Sequence, residues 1–159
     1  MLARIRKSLE HKEDKGFTLI ELLVVMIIIG ILAAIAIPIF LSQRKKAEDS
    51  AAKADVSTLG KEVATWFVDN TAAPVINSSG GVYYLAATSS TNAADKVGNV
   101  SKNVVYGSLV AQPSGTVTAV NWCVWVHNPQ GDKAVGGYQY SASGGLGEGR
   151  CGQAAPTTT

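Results

Sequence analysis

From Phe17 to Leu41 the chain runs for 25 residues with a single ionisable side chain, Glu21. A helix of that length crosses the roughly 30 Å hydrocarbon core of a bilayer, so the run predicts a membrane-spanning helix. After Leu41 the polarity changes but the helical period does not. Ala52, Val56, Leu59, Val63 and then Trp66 or Phe67 recur at three- and four-residue steps, which is one apolar stripe on an amphipathic helix. Lys45 and Asp49, and Asp49 and Lys53, are spaced to pair across its solvent face at about 0.2–0.5 kcal/mol each. Asn70 and then Pro74 mark the stop, because proline disfavours helical geometry in the residue before it. One helix from Phe17 to about Thr71 is roughly 80 Å long. A head of this size cannot bury such a helix, so its first half must pack against lipid or other subunits.

Residues 72–103 are rich in Ser, Thr, Asn, Ala and Gly, with Val82-Tyr83-Tyr84-Leu85 the compact apolar group. They read as a connecting region holding one short strand or helical turn. From Val104 the period shortens. Val104 to Val110, Thr116 to His127 and Ala134 to Ser141 are β-branched and aromatic, and the turns Pro113-Ser114-Gly115 and Asn128-Pro129-Gln130-Gly131-Asp132 separate them. A three- or four-stranded antiparallel sheet is expected over 104–155. Val120, Trp122, Val124 and Val126 share one face of the central strand, set to pack on the helical stripe from Ala52 to Phe67, while Cys123 and Trp125 take the other. The fold class is α+β: a long amino-terminal helix, apolar in its first half, with an antiparallel sheet wrapped on its second. Residues 156–159 read as a tail.

Charge sharpens this picture at the amino terminus. Arg4, Arg6, Lys7, Lys12 and Lys15 precede the apolar run, and a basic flank biases that end toward the cytoplasm. Glu21 is out of place, since a carboxylate at the centre of a membrane helix costs about 2.5–3.5 kcal/mol unless paired. A cut after Gly16 would supply the partner, because the new α-amino group of Phe17 is a cation at the same depth, on the same or a neighbouring subunit. Removal of 1–16 also takes five basic and three acidic residues from totals of 14 and 12, leaving nine of each. Neutral subunits pack without mutual repulsion, and without a basic excess no nucleic-acid footprint is indicated.

The two cysteines, Cys123 and Cys151, both fall in the part predicted to lie outside, and a disulfide between them is the natural reading. With His11 in the leader and His127 on a strand they make no recognised metal-ligand spacing. No nucleophile, base and orienting group can be assembled, and the glycines at 144, 145, 147, 149 and 152 lack the ending of a phosphate loop. The chain is expected to be no enzyme and to need no cofactor. Asn77-Ser78-Ser79 and Asn99-Val100-Ser101 fit the N-glycosylation triplet.

The string Gly16-Phe17-Thr18-Leu19-Ile20-Glu21-Leu22-Leu23, with Gly30 and Pro38 beyond it, resembles the prepilin signature of type IV pilins and type II secretion pseudopilins. The resemblance covers about the first third of the chain. It implies that residues 1–16 are a leader removed by a membrane prepilin peptidase between Gly16 and Phe17, that the Phe17 amine is N-methylated, and that Glu21 neutralises the amine of an adjacent subunit. Gly16 suits such a cut, because a residue without a side chain lets a protease approach the backbone. The resemblance further implies that 17–41 is the filament-core half of the helix and 42–71 its amphipathic half. Gly30 and Pro38 would be helix-breaking positions that extend in a filament, and the Cys123 to Cys151 loop would be surface-exposed. A structural subunit of a type IV pilus follows, serving functions such as adhesion, motility or DNA uptake. It would be a homopolymer driven by an assembly ATPase and an inner-membrane platform, held in the cytoplasmic membrane before assembly and on the surface after it. Three alternatives stay open. One is a pseudopilin of a secretion or DNA-uptake machine; another is secretory cleavage at Ala34-Ile35-Ala36. The third is an uncut, membrane-anchored binding module.

Overall fold

The computed structural model describes residues 16–87 and 95–153. The leader cations, His11 and the tail over 156–159 lie outside the described residues. The chain divides into two compact units between Phe40 and Leu41. Helix α1 (Leu19–Asp69, 51 residues) contributes to both and stays α-helical through Gly30 and Pro38. In the first unit none of its apolar run is buried. Leu19, Ile27, Ile35 and Phe40 are all more than half exposed. An apolar helix without a cover of its own is long and apolar enough to cross a membrane.

The second unit is built on the other half of α1. Ala52, Val56, Leu59 and Val63 are completely buried, as their spacing predicts, with Trp66 and Phe67 half-buried beside them. Among the described residues seven strands follow in two antiparallel meanders. The first sheet pairs β1 (Val75–Ser79), β2 (Val82–Ala86) and β3 (Asp95–Asn99) in that order. It corrects the expectation of one short strand or helical turn within 72–103. Its tight hairpin is made by Gly80 and Gly81, both at positive φ, as a two-residue turn matched to strand twist requires. The polar strands β1 and β3 escape notice because Ile76 is the one buried residue in β1 and none of β3 is fully buried.

The second sheet has the order β4 (Val105–Ala111), β5 (Trp122–His127), β6 (Tyr138–Ser141) and β7 (Gly145–Glu148). Its central strand is β5, as expected, although it starts at Trp122 rather than Thr116. Val120 therefore lies outside the strand and is 79% exposed, whereas Trp122, Val124 and Val126 do enter the core with the stripe of α1. Similarly, β6 begins at Tyr138 rather than Ala134. The glycines expected as plain loop include a strand, β7, whose backbone pairs with β6 without needing large side chains. On the opposite face of β5, the Trp125 ring occupies the space beside Gly107, where the β4–β5 register shifts, and Arg150 lies over it at 4.8 Å.

Acidic side chains of α1 fasten the loops to the helix. Asp49 accepts hydrogen bonds from the backbone amides of Asp132 (2.9 Å), Lys133 (3.2 Å) and Ala134 (2.9 Å). Asp55 accepts from the Tyr83 hydroxyl (3.0 Å) and from the amide and hydroxyl of Ser101. The expected surface pairs of Asp49 with Lys45 and Lys53 do not form, because Asp49 turns inward to amides that have no other acceptor, and Lys53 lies over the Tyr138 ring instead. Hydrogen bonds from Asn128 and Asn103 hold the Glu48 carboxyl below the usual carboxylate range. That contact is present at neutral pH and is lost as the pH falls through the depressed value.

Cys123 and Cys151 form a disulfide with Cα atoms 5.8 Å apart, tying the end of the chain to the central strand. Replacing both with Ala is expected to lower stability by about 3–4 kcal/mol, the loop-entropy value for a closure of this size. A urea titration of the full chain in detergent under non-reducing conditions checks this, and an unchanged midpoint would contradict it.

Candidate functional site

The start of α1 gathers the chemistry that the sequence singles out. Gly16, Phe17 and Thr18 lie outside the helix and are exposed, Phe17 at 85%. Nothing comes within 4 Å of a Cβ built on Gly16. Among the described residues the Gly16–Phe17 peptide bond is exposed and non-helical, the form in which a protease can reach it.

Thr18 is the N-cap of the helix. Its carbonyl accepts from the Leu22 amide at 3.4 Å, and its hydroxyl oxygen accepts from the Glu21 amide at 3.3 Å. In return the Oε2 atom of Glu21 accepts from the Thr18 amide at 2.9 Å and from the Thr18 hydroxyl at 2.7 Å. This reciprocal arrangement is a capping box, in which two otherwise unpaired amides at a helix start are satisfied together. The reading of Glu21 by charge alone misses this second role. Its signal, Thr18-x-x-Glu21 directly before an apolar run, stands in the sequence. Among the described residues Oε2 takes both bonds, and no hydrogen bond or ion pair engages Oε1. One oxygen of the carboxylate holds the helix start, and among the described residues the other has no partner.

Of the other residues singled out, Gly30 and Pro38 lie further along the same apolar half of α1, and Cys123 and Cys151 belong to the second unit. The two glycosylation triplets differ. Among the described residues the Asn77 side-chain nitrogen is buried without a partner in β1, whereas Asn99 is exposed at the end of β3. Among the described residues no group of three or more His, Cys, Asp or Glu side chains is placed to hold a metal.

Comparison with known proteins converges on this segment. Residues 11–37 match the prokaryotic N-terminal methylation motif. The chain is 36% identical over 66 residues to the type II secretion system core protein G of Pseudomonas aeruginosa, covering 42% of this chain and 46% of that protein. It is 47% identical over 55 residues to the type IV major pilin protein PilA of Myxococcus xanthus, covering 35% and 25%. It is also 47% identical over 59 residues to the type IV wide pilus major component PilA4 of Thermus thermophilus, covering 37% and 45%. The matched stretch thus spans less than half the length of each of these relatives. No solved structure matches.

Proposed function

We propose that this chain, whose amino-terminal third belongs to the type IV pilin and type II secretion pseudopilin family, is a structural subunit that is cut after Gly16 and polymerised through α1 into a surface pilus. The observation that carries the proposal is the conjunction at the helix start. Among the described residues, a non-helical, exposed Gly16–Phe17 bond precedes a capped Glu21 whose second oxygen has no partner, and both precede an apolar half-helix of which nothing is buried. Cleavage turns Phe17 into an amino terminus, and its cation fits the carboxylate of an adjacent copy. Polymerisation buries the apolar half-helices against one another, which replaces lipid contact with helix packing.

On this reading the precursor is held in the cytoplasmic membrane with its basic leader inside. A prepilin peptidase removes the leader and the Phe17 amine is methylated. A separate assembly ATPase and membrane platform provide the work of extraction. The second reading, a pseudopilin, is favoured by the similarity to core protein G. The Cys123–Cys151 loop and the two-sheet head favour a pilus subunit. Immunogold labelling of expressing cells separates the two. Long labelled surface filaments are the expected result, and label confined to short stubs within the envelope would favour the pseudopilin.

A further inference from the structure

Arg44, Lys45 and Lys46 follow the apolar run by three residues, and the functional reading gives them no role. All three are exposed on α1. Successive residues of an α-helix point about 100° apart, so the three cations spread over about 200° of the helix circumference rather than line one face. The Arg44 charge helps to hold the Glu48 carboxyl low, but among the described residues no carboxylate forms an ion pair with any of the three. Among the described residues the ion pair that forms is Lys133 with Glu148, remote in sequence from the trio, and none of the three side chains donates a hydrogen bond. The carboxylates next along α1 are already engaged. Glu48 is held by Asn103 and Asn128, Asp49 by the amides of residues 132–134, and Asp55 by Tyr83 and Ser101. The fold thus draws the negative charge of this stretch toward the head and leaves the positive charge facing outward.

We infer that Arg44, Lys45 and Lys46 form a phosphate-binding collar that grips anionic lipid headgroups in the leaflet nearest the head while the precursor is held in the membrane. The inference rests on the membrane-held precursor of the proposed function. A helix crossing the hydrocarbon core through Leu41 brings the next residues to the headgroup layer. There, long cationic side chains lay their stems along the apolar boundary and put their charges among the phosphates. Arg44 can hold a phosphate with two parallel N–H donors, while the lysines act as point charges. Three such contacts amount to an approximately 100-fold preference for anionic over zwitterionic lipid, weakened by salt. The collar would have to let go of these headgroups when the subunit leaves the membrane, so it also sets part of the resistance to extraction.

The test uses the full chain reconstituted in nanodiscs of equal phosphatidylglycerol and phosphatidylcholine, with the lipids that stay bound counted by native mass spectrometry. The R44Q/K45Q/K46Q variant is compared with the parent and with a leader variant, R4Q/R6Q/K7Q. Resistance to alkaline carbonate extraction reports insertion separately. The expected result is a strong phosphatidylglycerol preference in the parent and the leader variant, falling at least tenfold in the collar variant while all three chains stay inserted. Inserted chains with equal lipid preference would overturn the collar and leave the filament reading intact. Unchanged lipid binding with lost filaments would overturn it too, and would assign the three cations to a neighbouring copy. Chains stripped from the bilayer by carbonate would overturn both readings.

Discussion

Cells expressing Glu21→Ala in place of the parent chain are expected to keep the protein in the membrane but to lose surface filaments. Two effects combine at this one carboxylate. Alanine removes Oε2, which accepts the amide and hydroxyl of Thr18, and an N-terminal cap is worth about 1 kcal/mol. It also removes the other oxygen, to which the Phe17 amine of an adjacent copy would pair. An uncompensated charge in an apolar helix packing costs about 2.5–3.5 kcal/mol, so each subunit addition would weaken on the order of 100-fold. Over a polymer that is equivalent to no filament. Glu21→Gln separates the two effects, because glutamine serves a capping box as well as glutamate does but carries no charge. It should retain the helix start and still fail to assemble. The readout is the amount of chain in the sheared surface fraction relative to the membrane fraction. Normal filaments from Glu21→Gln would show that Glu21 acts as a cap alone.

The second large effect is expected at Asp49, far along the same helix. Asp49→Ala leaves the amides of Asp132, Lys133 and Ala134 without their acceptor in a partly closed loop, and the loss should be about 3–5 kcal/mol. That is a large share of the stability of a domain of this size. Asp49→Asn keeps one acceptor oxygen but brings a donor against donors, so it should fall between. Urea midpoints of the full chain in detergent, together with hydrogen exchange at residues 132–134, give the check. If the midpoint falls but exchange at these three amides is unchanged, Asp49 does not act through the loop.

The apolar run and the stripe on α1 are legible in the sequence because burial and lipid exposure both act through residue type and period. Ala52, Val56, Leu59 and Val63 fall where their spacing places them. Cys123 and Cys151 are legible for a simpler reason: the chain offers one pairing. The first sheet is not legible, because β1 and β3 are short, polar strands in which backbone pairing and the Gly80-Gly81 turn outweigh side-chain pattern. The same applies to β7, where glycines form a ladder that needs no apolar face.

Long-range polar contacts are the other gap. Nothing in local spacing tells that Asp49 will satisfy amides more than 80 residues away, when Lys45 and Lys53 stand at the usual pairing distance. At the candidate site the situation is reversed. Gly16, Phe17 and Glu21 stand out by charge and position, and the Thr18 to Glu21 capping box lies within four residues of chain. The chemistry of the site is local, so the sequence can carry it.

The most direct test of the central claim is the intact mass, with amino-terminal fragmentation, of the protein sheared from the surface of expressing cells. A chain that starts at Phe17 and carries one added methyl group is the predicted result. A chain that starts at Met1 or near Ile37, or no chain in the sheared fraction, would contradict the account.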